Sequence, residues 1–139
     1  EPWRGGICTG PIIATNLTVG SHLLGTKHMP SLKGSILIFE DIGEEPYRID
    51  RMLTQWRLSG KLKDIGAIGF GSFKNCELKD NESNEHTFQL NEVLKERSFD
   101  LGIPVVANLP IGHCRGNAAL TLGRIGRLNG FTGSLSLDF

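Results

Sequence analysis

Apolar residues come in short bursts separated by glycine, proline or charge, and the bursts switch between strand-like and helix-like spacing. Pro11-Ile12-Ile13-Ala14 is a short extended candidate. Asn16 can then cap a helix in which Leu17, Leu23 and Leu24 supply part of an apolar face, ending near Gly25 before the turn-rich Thr26 to Lys33. Ser35-Ile36-Leu37-Ile38-Phe39 is a continuous apolar run that stops at Glu40 and Asp41. That is the pattern of a strand buried on both faces that surfaces at its carboxyl end.

Glu44 and Glu45 stand before Pro46, which suits a first helical position because its missing N–H would be unpaired there. Ile49, Met52, Leu53 and Trp56 follow at i, i+3, i+4 and i+7, and Gly60 can close the helix, so the spacing predicts a helix from Pro46 to Ser59. Ile65-Gly66-Ala67-Ile68-Gly69-Phe70 reads as a second buried strand with room for a close neighbour. Lys74 to His86 is polar without apolar spacing and reads as an exposed loop. Leu90, Val93 and Leu94 mark the inner face of a third helix, and Pro104 to Pro110 a further strand. A Gly-containing loop, Ile111 to Asn117, holds His113. Asn129-Gly130, between two alternating runs, predicts a closing hairpin. The sum is an α/β domain with short strands and about three helices. Glu1 to Gly10 lacks periodicity and reads as a linker or entry segment, leaving residues 11–139 as the domain.

Composition narrows the class. The chain has 139 residues, the usual size of one domain, and its 15 basic and 15 acidic residues cancel. Without a net field to gather phosphates or anionic lipid, nucleic acid and membrane surfaces are not expected partners. The longest apolar stretch, Ile36–Phe39, is far too short to cross a bilayer. Cys8, Cys76 and Cys114 have no CxxC spacing, as in a reducing compartment. No secretory leader is expected, and an opening at Glu1-Pro2-Trp3 without Met fits processing or excision from a longer chain.

Ligands of helix-flanked sheets gather beyond the carboxyl ends of strands. Glu40 closes SILIF and His113 follows PVVANLP, so parallel pairing of these strands would bring both to one edge. A carboxylate accepting from imidazole Nδ1–H fixes the tautomer and leaves Nε2 to take a proton from a nucleophile. Asp41 is an equal candidate carboxylate, although alternation turns it and Glu40 to opposite faces. Cys114 beside His113 suggests a Cys–His pair, but adjacent residues on extended backbone point apart. His22, His28, His86 and the cysteines have no metal-ligand spacing, so no metal or other cofactor is expected. Arg48, Asp50 and Arg51 read as helix-surface ion pairs. GxSxG is absent, so any serine nucleophile is elsewhere.

The stretch LKGSILIFEDIGEEPYRIDRMLTQWRLSG, with IGAIGFGSF and LGIPVVANLPIGHCRGNAALTLG after it, resembles the C-terminal domain of LD-carboxypeptidases. This serine peptidase family also contains the microcin-immunity proteins. The carrying motifs are ED-x-x-E-x-P-Y-x-I-D-R-M-L-T-Q and P-x-G-H, and the likeness runs from Gly10 to Phe139. The resemblance implies a swivelling β/β/α domain and a Ser–His–Glu triad split between two domains. Here the catalytic Glu would be Glu40 and the His His113, with the Ser in an N-terminal domain absent from this chain. It also implies cytoplasmic removal of terminal D-alanine from murein tetrapeptides in peptidoglycan recycling. A second copy of the chain is a further candidate partner. Ala14-Thr15-Asn16-Leu17 stands where the family commonly has Gly-Gly-Asn-Leu, and the loop from Lys74 is longer. Alternatives are immunity-type cleavage of peptidyl or aminoacyl nucleotides, for which Phe73 and Phe88 flank a loop, and a non-catalytic muropeptide-binding module.

Overall fold

A computed structural model describes residues 1–78 and 88–137. In chain order its elements are β1 (Pro2–Arg4), β2 (Ile7–Asn16), helix α1 (Leu17–Ser21), β3 (Ile36–Ile42), α2 (Pro46–Leu58), β4 (Ala67–Lys74), α3 (Leu90–Ser98), β5 (Val105–Val106), β6 (Ile125–Asn129) and β7 (Ser134–Leu137). The strands form one sheet in the order β1-β5-β4-β3-β2-β6-β7. The four central strands are parallel; β1 pairs antiparallel with β5 on one side, and on the other β6 pairs antiparallel with β2 and β7 antiparallel with β6.

Strand alternation divides the core in two. Leu37 and Phe39 of β3 and Ile68 and Phe70 of β4 face the helices, where Leu17, Ile49, Leu53, Trp56, Val93 and Leu94 cover them. Phe39 meets Trp56 edge-on at 5.0 Å between ring centroids. Ile36 and Ile38 face the other way and are buried with Ile12, Val106, Leu109, Ile111 and Leu128. Leu128 belongs to β6, so the sheet curls over this second cluster and closes it without helices. The buried indole of Trp56 is not left polar and unpaired. Its Nε1–H donates to Ser21 Oγ at 2.9 Å, and that hydroxyl donates to the Leu17 carbonyl at 2.7 Å.

The α2 expectation holds, from Pro46 at the first position to Gly60 at φ 75° just beyond the end. Asn16 caps α1 as expected, but the regular helix ends at Ser21. From His22 to Leu24 the chain tightens into three-residue turns, with N–H groups reaching Val19, Gly20 and Ser21 carbonyls. The hairpin at Asn129-Gly130 forms, with Asn129 Oδ1 accepting from the N–H groups of Phe131 and Thr132.

Four expectations are corrected. The first ten residues are not irregular: β1 pairs with β5, and Ile7–Gly10 pair with β6. Gly10 and Pro11 interrupt the pattern of β2, yet any side chain at Gly10 would strike the Gly34 carbonyl, so the glycine is what lets this strand seat. β3 runs on through Ile42, and both acids at its end are buried, Glu40 at 9% and Asp41 at 2% exposure. The strand expected over Pro104–Pro110 pairs only at Val105–Val106, because Asn108 turns left-handed at φ 55°. Asp50 does not pair within its helix; it receives Arg97 Nε from α3, tying the two helices together, while Arg48 pairs locally with Glu44 and Glu45.

Phe73, expected beside a loop, is buried in the core within β4, and Cys76 after it is buried too. Most of the loop after Lys74, with His86, lies outside the described residues.

Replacing Trp56 by Ala removes an aromatic side chain from the centre of the helix-covered core and takes away the donor to Ser21 Oγ. Urea denaturation should register a loss of about 3–5 kcal/mol; a loss under about 1 kcal/mol would contradict this packing.

Candidate active site

The register of the central strands brings polar residues to one rim. Asn16, last of β2, is the register partner of Glu40 in β3. On the other side of β3, Phe39 pairs with Phe70 but Asp41 pairs with Phe73, so β4 spends three residues where β3 spends two. This bulge frees the backbone of β4 to bond elsewhere. Leu109 N–H reaches the Phe70 carbonyl at 3.0 Å, and Ser72 N–H reaches the Ile111 carbonyl at 2.8 Å. The loop after β5 therefore takes over alongside β4 where β5 has stopped. A side chain at Gly71 would strike that same Ile111 carbonyl.

Anchored in this way, the loop delivers His113 to Glu40. Nδ1 lies 2.7 Å from Glu40 Oε2, and the backbone N–H of His113 donates to the same oxygen at 3.2 Å. One carboxylate oxygen thus holds both the ring and the main chain. A carboxylate can only accept here, so Nδ1 carries the proton and the Nε2 lone pair points away from Glu40. The Glu40 side chain is 12% exposed and that of His113 51%. The carboxylate is walled in while half the imidazole surface faces solvent.

Gly112 makes the approach feasible. Its φ is 103°, and a Cβ there would lie 2.5 Å from Glu40 Oε2. Asn117 Oδ1 accepts from the Gly112 N–H at 3.0 Å and braces the turn.

Both sequence candidates, Glu40 and His113, are brought together by the fold. Asp41 points to the helix side, where its Oδ2 accepts from the N–H and hydroxyl of Thr18 at 2.9 and 2.8 Å. Asp41 therefore closes the start of α1 and does not reach His113. Asn16, read from sequence only as a helix cap, also donates to Glu40 Oε1 at 3.1 Å. The rule that singled out Glu40, a polar residue at the carboxyl end of a central strand, applies equally to Asn16 once β2 is seen to reach it.

Ser72 Oγ donates to the His113 carbonyl and not to the ring. Cys114 N–H bonds the Gly112 carbonyl within the turn. Burial raises the pKa of the Cys76 thiol above its usual range, so it is a poor nucleophile as well as a distant one. Among the described residues no three His, Cys, Asp or Glu side chains gather as a metal site would require. A concavity of about 730 Å³ lies against the outer face of α2 beside Leu24, Arg51, Gln55 and Leu58, and neither Glu40 nor His113 lines it. The pair belongs to an open rim.

The sequence model of the LD-carboxypeptidase C-terminal domain matches residues 9–128. The Synechocystis sp. protein named "Putative carboxypeptidase slr1534" is 46% identical over 96% of this chain and 44% of its own length. The murein tetrapeptide carboxypeptidase of Pseudomonas aeruginosa is 36% identical over 87% of this chain and 38% of its own. A crystal structure of muramoyltetrapeptide carboxypeptidase from Oxalobacter formigenes superposes with a TM-score of 0.85 at 34% identity, covering 99% of this chain and 48% of that one. The microcin C7 self-immunity protein MccF shares the fold, with a TM-score of 0.83 at 22% identity over 99% of this chain and 40% of that one. The chain spans about half the length, or less, of the curated relatives it matches.

Changing Gly112 to Ala should push the loop off Glu40. In proton NMR of this chain, the low-field resonance of a carboxylate-bound His113 Nδ1–H should disappear; its survival would mean that the turn tolerates a side chain.

Proposed function

The chain belongs to the LD-carboxypeptidase C-terminal domain family, and we propose that it is the half of a two-domain serine peptidase that carries the base and its orienting carboxylate. The nucleophilic Ser and the groups that stabilise the oxyanion come from a segment outside this chain. The observation that carries the reading is the 2.7 Å contact between Glu40 Oε2 and His113 Nδ1, with the rest of the ring turned to an open rim.

The chemistry follows from that geometry. His113 Nε2 takes the proton from the Ser hydroxyl as its oxygen attacks the scissile carbonyl. The imidazolium so formed is stabilised by Glu40, which keeps its charge and accepts from Nδ1–H throughout. His113 then returns the proton to the leaving amine, and the acyl-enzyme is opened by a water that the same nitrogen deprotonates. Water is the only co-reactant required.

The substrate we infer is a murein tetrapeptide that loses its terminal D-alanine. Support comes from the P. aeruginosa and O. formigenes relatives, named for murein and muramoyl tetrapeptides and each more than 30% identical to this chain. The setting we infer is cytoplasmic, where three cysteines without a disulfide between them are at home. We place the C-terminal domain from β1 onward, because β1 pairs with β5 and Ile7–Gly10 pair with β6 in the same sheet. The immunity-type alternative gains no support from Phe73, which is packed inside. A pure binding module would have no use for an imidazole locked to a carboxylate.

Glu40→Gln and His113→Ala in the full-length enzyme should each lower kcat for D-alanine release about 10³–10⁴-fold while leaving the thermal transition near that of the parent. The isolated chain should release none. Near-normal release by either variant, or turnover by the chain alone, would reject the split-triad reading.

A further inference from the structure

The amide of Asn16 makes more contacts than a helix cap needs. Its Oδ1 accepts from the Val19 N–H at 3.0 Å, which is the cap. Its Nδ2 faces two carboxylates at once, Glu40 Oε1 at 3.1 Å and Asp41 Oδ1 at 3.0 Å. The two ends of the amide cannot be exchanged, because a flipped Asn16 would set its oxygen against both carboxylates and its nitrogen against the Val19 N–H.

This places one side chain between the candidate pair and the rest of the rim. Glu40 and Asp41 are neighbours on β3, point to opposite faces and are both buried. Asp41 is fixed on its side by Thr18, and Glu40 on its side by His113. Asn16 reaches both because it ends β2 in register with Glu40. Without its Nδ2, Glu40 Oε1 has no other hydrogen-bond donor among the described residues. The carboxylate could then rotate about its last torsion and carry Oε2 out of line with Nδ1. Glu side chains have broad freedom at that torsion, so a second contact is what fixes it.

We propose that Asn16 is a positioning residue for the Glu40–His113 pair, holding Oε1 so that Oε2 stays aligned with Nδ1, and that it acts through Glu40 without touching substrate. This rests on the reading of Glu40 and His113 given above. A misalignment of about 1 Å at such a pair costs on the order of 100-fold in rate.

Two variants separate positioning from capping. Ser and Asp are N-caps as good as Asn, so Asn16→Ser and Asn16→Asp both keep the bond to Val19. Asn16→Ser withdraws the donor from Glu40. Asn16→Asp replaces it with acceptor oxygens facing two carboxylates. In the full-length enzyme, kcat for D-alanine release should fall about 100-fold in Asn16→Ser and further in Asn16→Asp, with KM changed less than about threefold. In this chain, Asn16→Ser should unfold thermally near the parent and Asn16→Asp at a lower temperature, because it sets a third carboxylate against two, while in both the low-field Nδ1–H resonance of His113 shifts or broadens. Parent-like kcat and resonance in Asn16→Ser would mean that Asn16 is only a cap, and a raised KM at unchanged kcat would make it a substrate contact. Either result overturns the proposal. Glu40→Gln, measured alongside, keeps the two readings apart: if it abolishes turnover while the Asn16 variants do not, positioning alone fails.

Discussion

Two carboxylates, adjacent in sequence and both withdrawn from solvent, close the central strand of the sheet, and the surrounding structure is arranged to supply them with donors. A buried carboxylate without partners costs several kcal/mol. Besides the Ile42 main-chain N–H on Asp41, five donors from elsewhere in the fold meet this demand: the ring and main chain of His113 on Glu40, the hydroxyl and main chain of Thr18 on Asp41, and the amide of Asn16 on both. They come from three separate places, the end of β2, the start of α1 and the loop after β5. Because β3 turns its two acids to opposite faces, a single requirement for hydrogen bonds is met on the helix side by structure and on the other side by the candidate chemistry. The start of α1 and the placing of His113 are linked through one amide.

Much of this was legible in the chain. The uninterrupted run Ile36–Phe39 marks a strand covered on both faces, and the i, i+3, i+4, i+7 stripe from Ile49 to Trp56 marks the helix covering it. Glu40 and His113 were legible as candidates because polar residues at carboxyl ends of parallel strands share an edge, and the motif resemblance selected them from other acids and histidines. Other features had no local signal. Gly10-Pro11 reads as a break, yet the strand passes straight through it because the glycine allows close contact with Gly34. An abrupt charge after an apolar run reads as emergence into solvent, whereas the partners that bury Glu40 and Asp41 lie on segments remote in sequence. The early end of β5 has the same origin. The sequence Val105 to Leu109 is apolar enough for a longer strand, but Asn108 turns and the bulge in β4 captures the loop beyond it. Hydrophobic periodicity reports which face is buried, not which backbone groups exchange partners.

A catalytic site split between two segments, as proposed for this chain, has to be accurate in each part before they meet. On this side the accuracy comes from rigid elements. Glu40 sits on a strand with neighbours on both edges, and His113, although on a loop, has its main chain bound to the carboxylate that also holds its ring. Ring and backbone anchored to one oxygen leave the imidazole little room to swing, even with half its surface in solvent. The β4 bulge and Gly112 add no chemistry of their own. They let the loop come within hydrogen-bond distance of the strand, and a regular ladder at that point would have continued β5 and carried His113 past Glu40. The local irregularities of the sheet, two residues opposite three and a glycine at positive φ, are therefore the means by which a regular α/β layer presents a histidine at its rim.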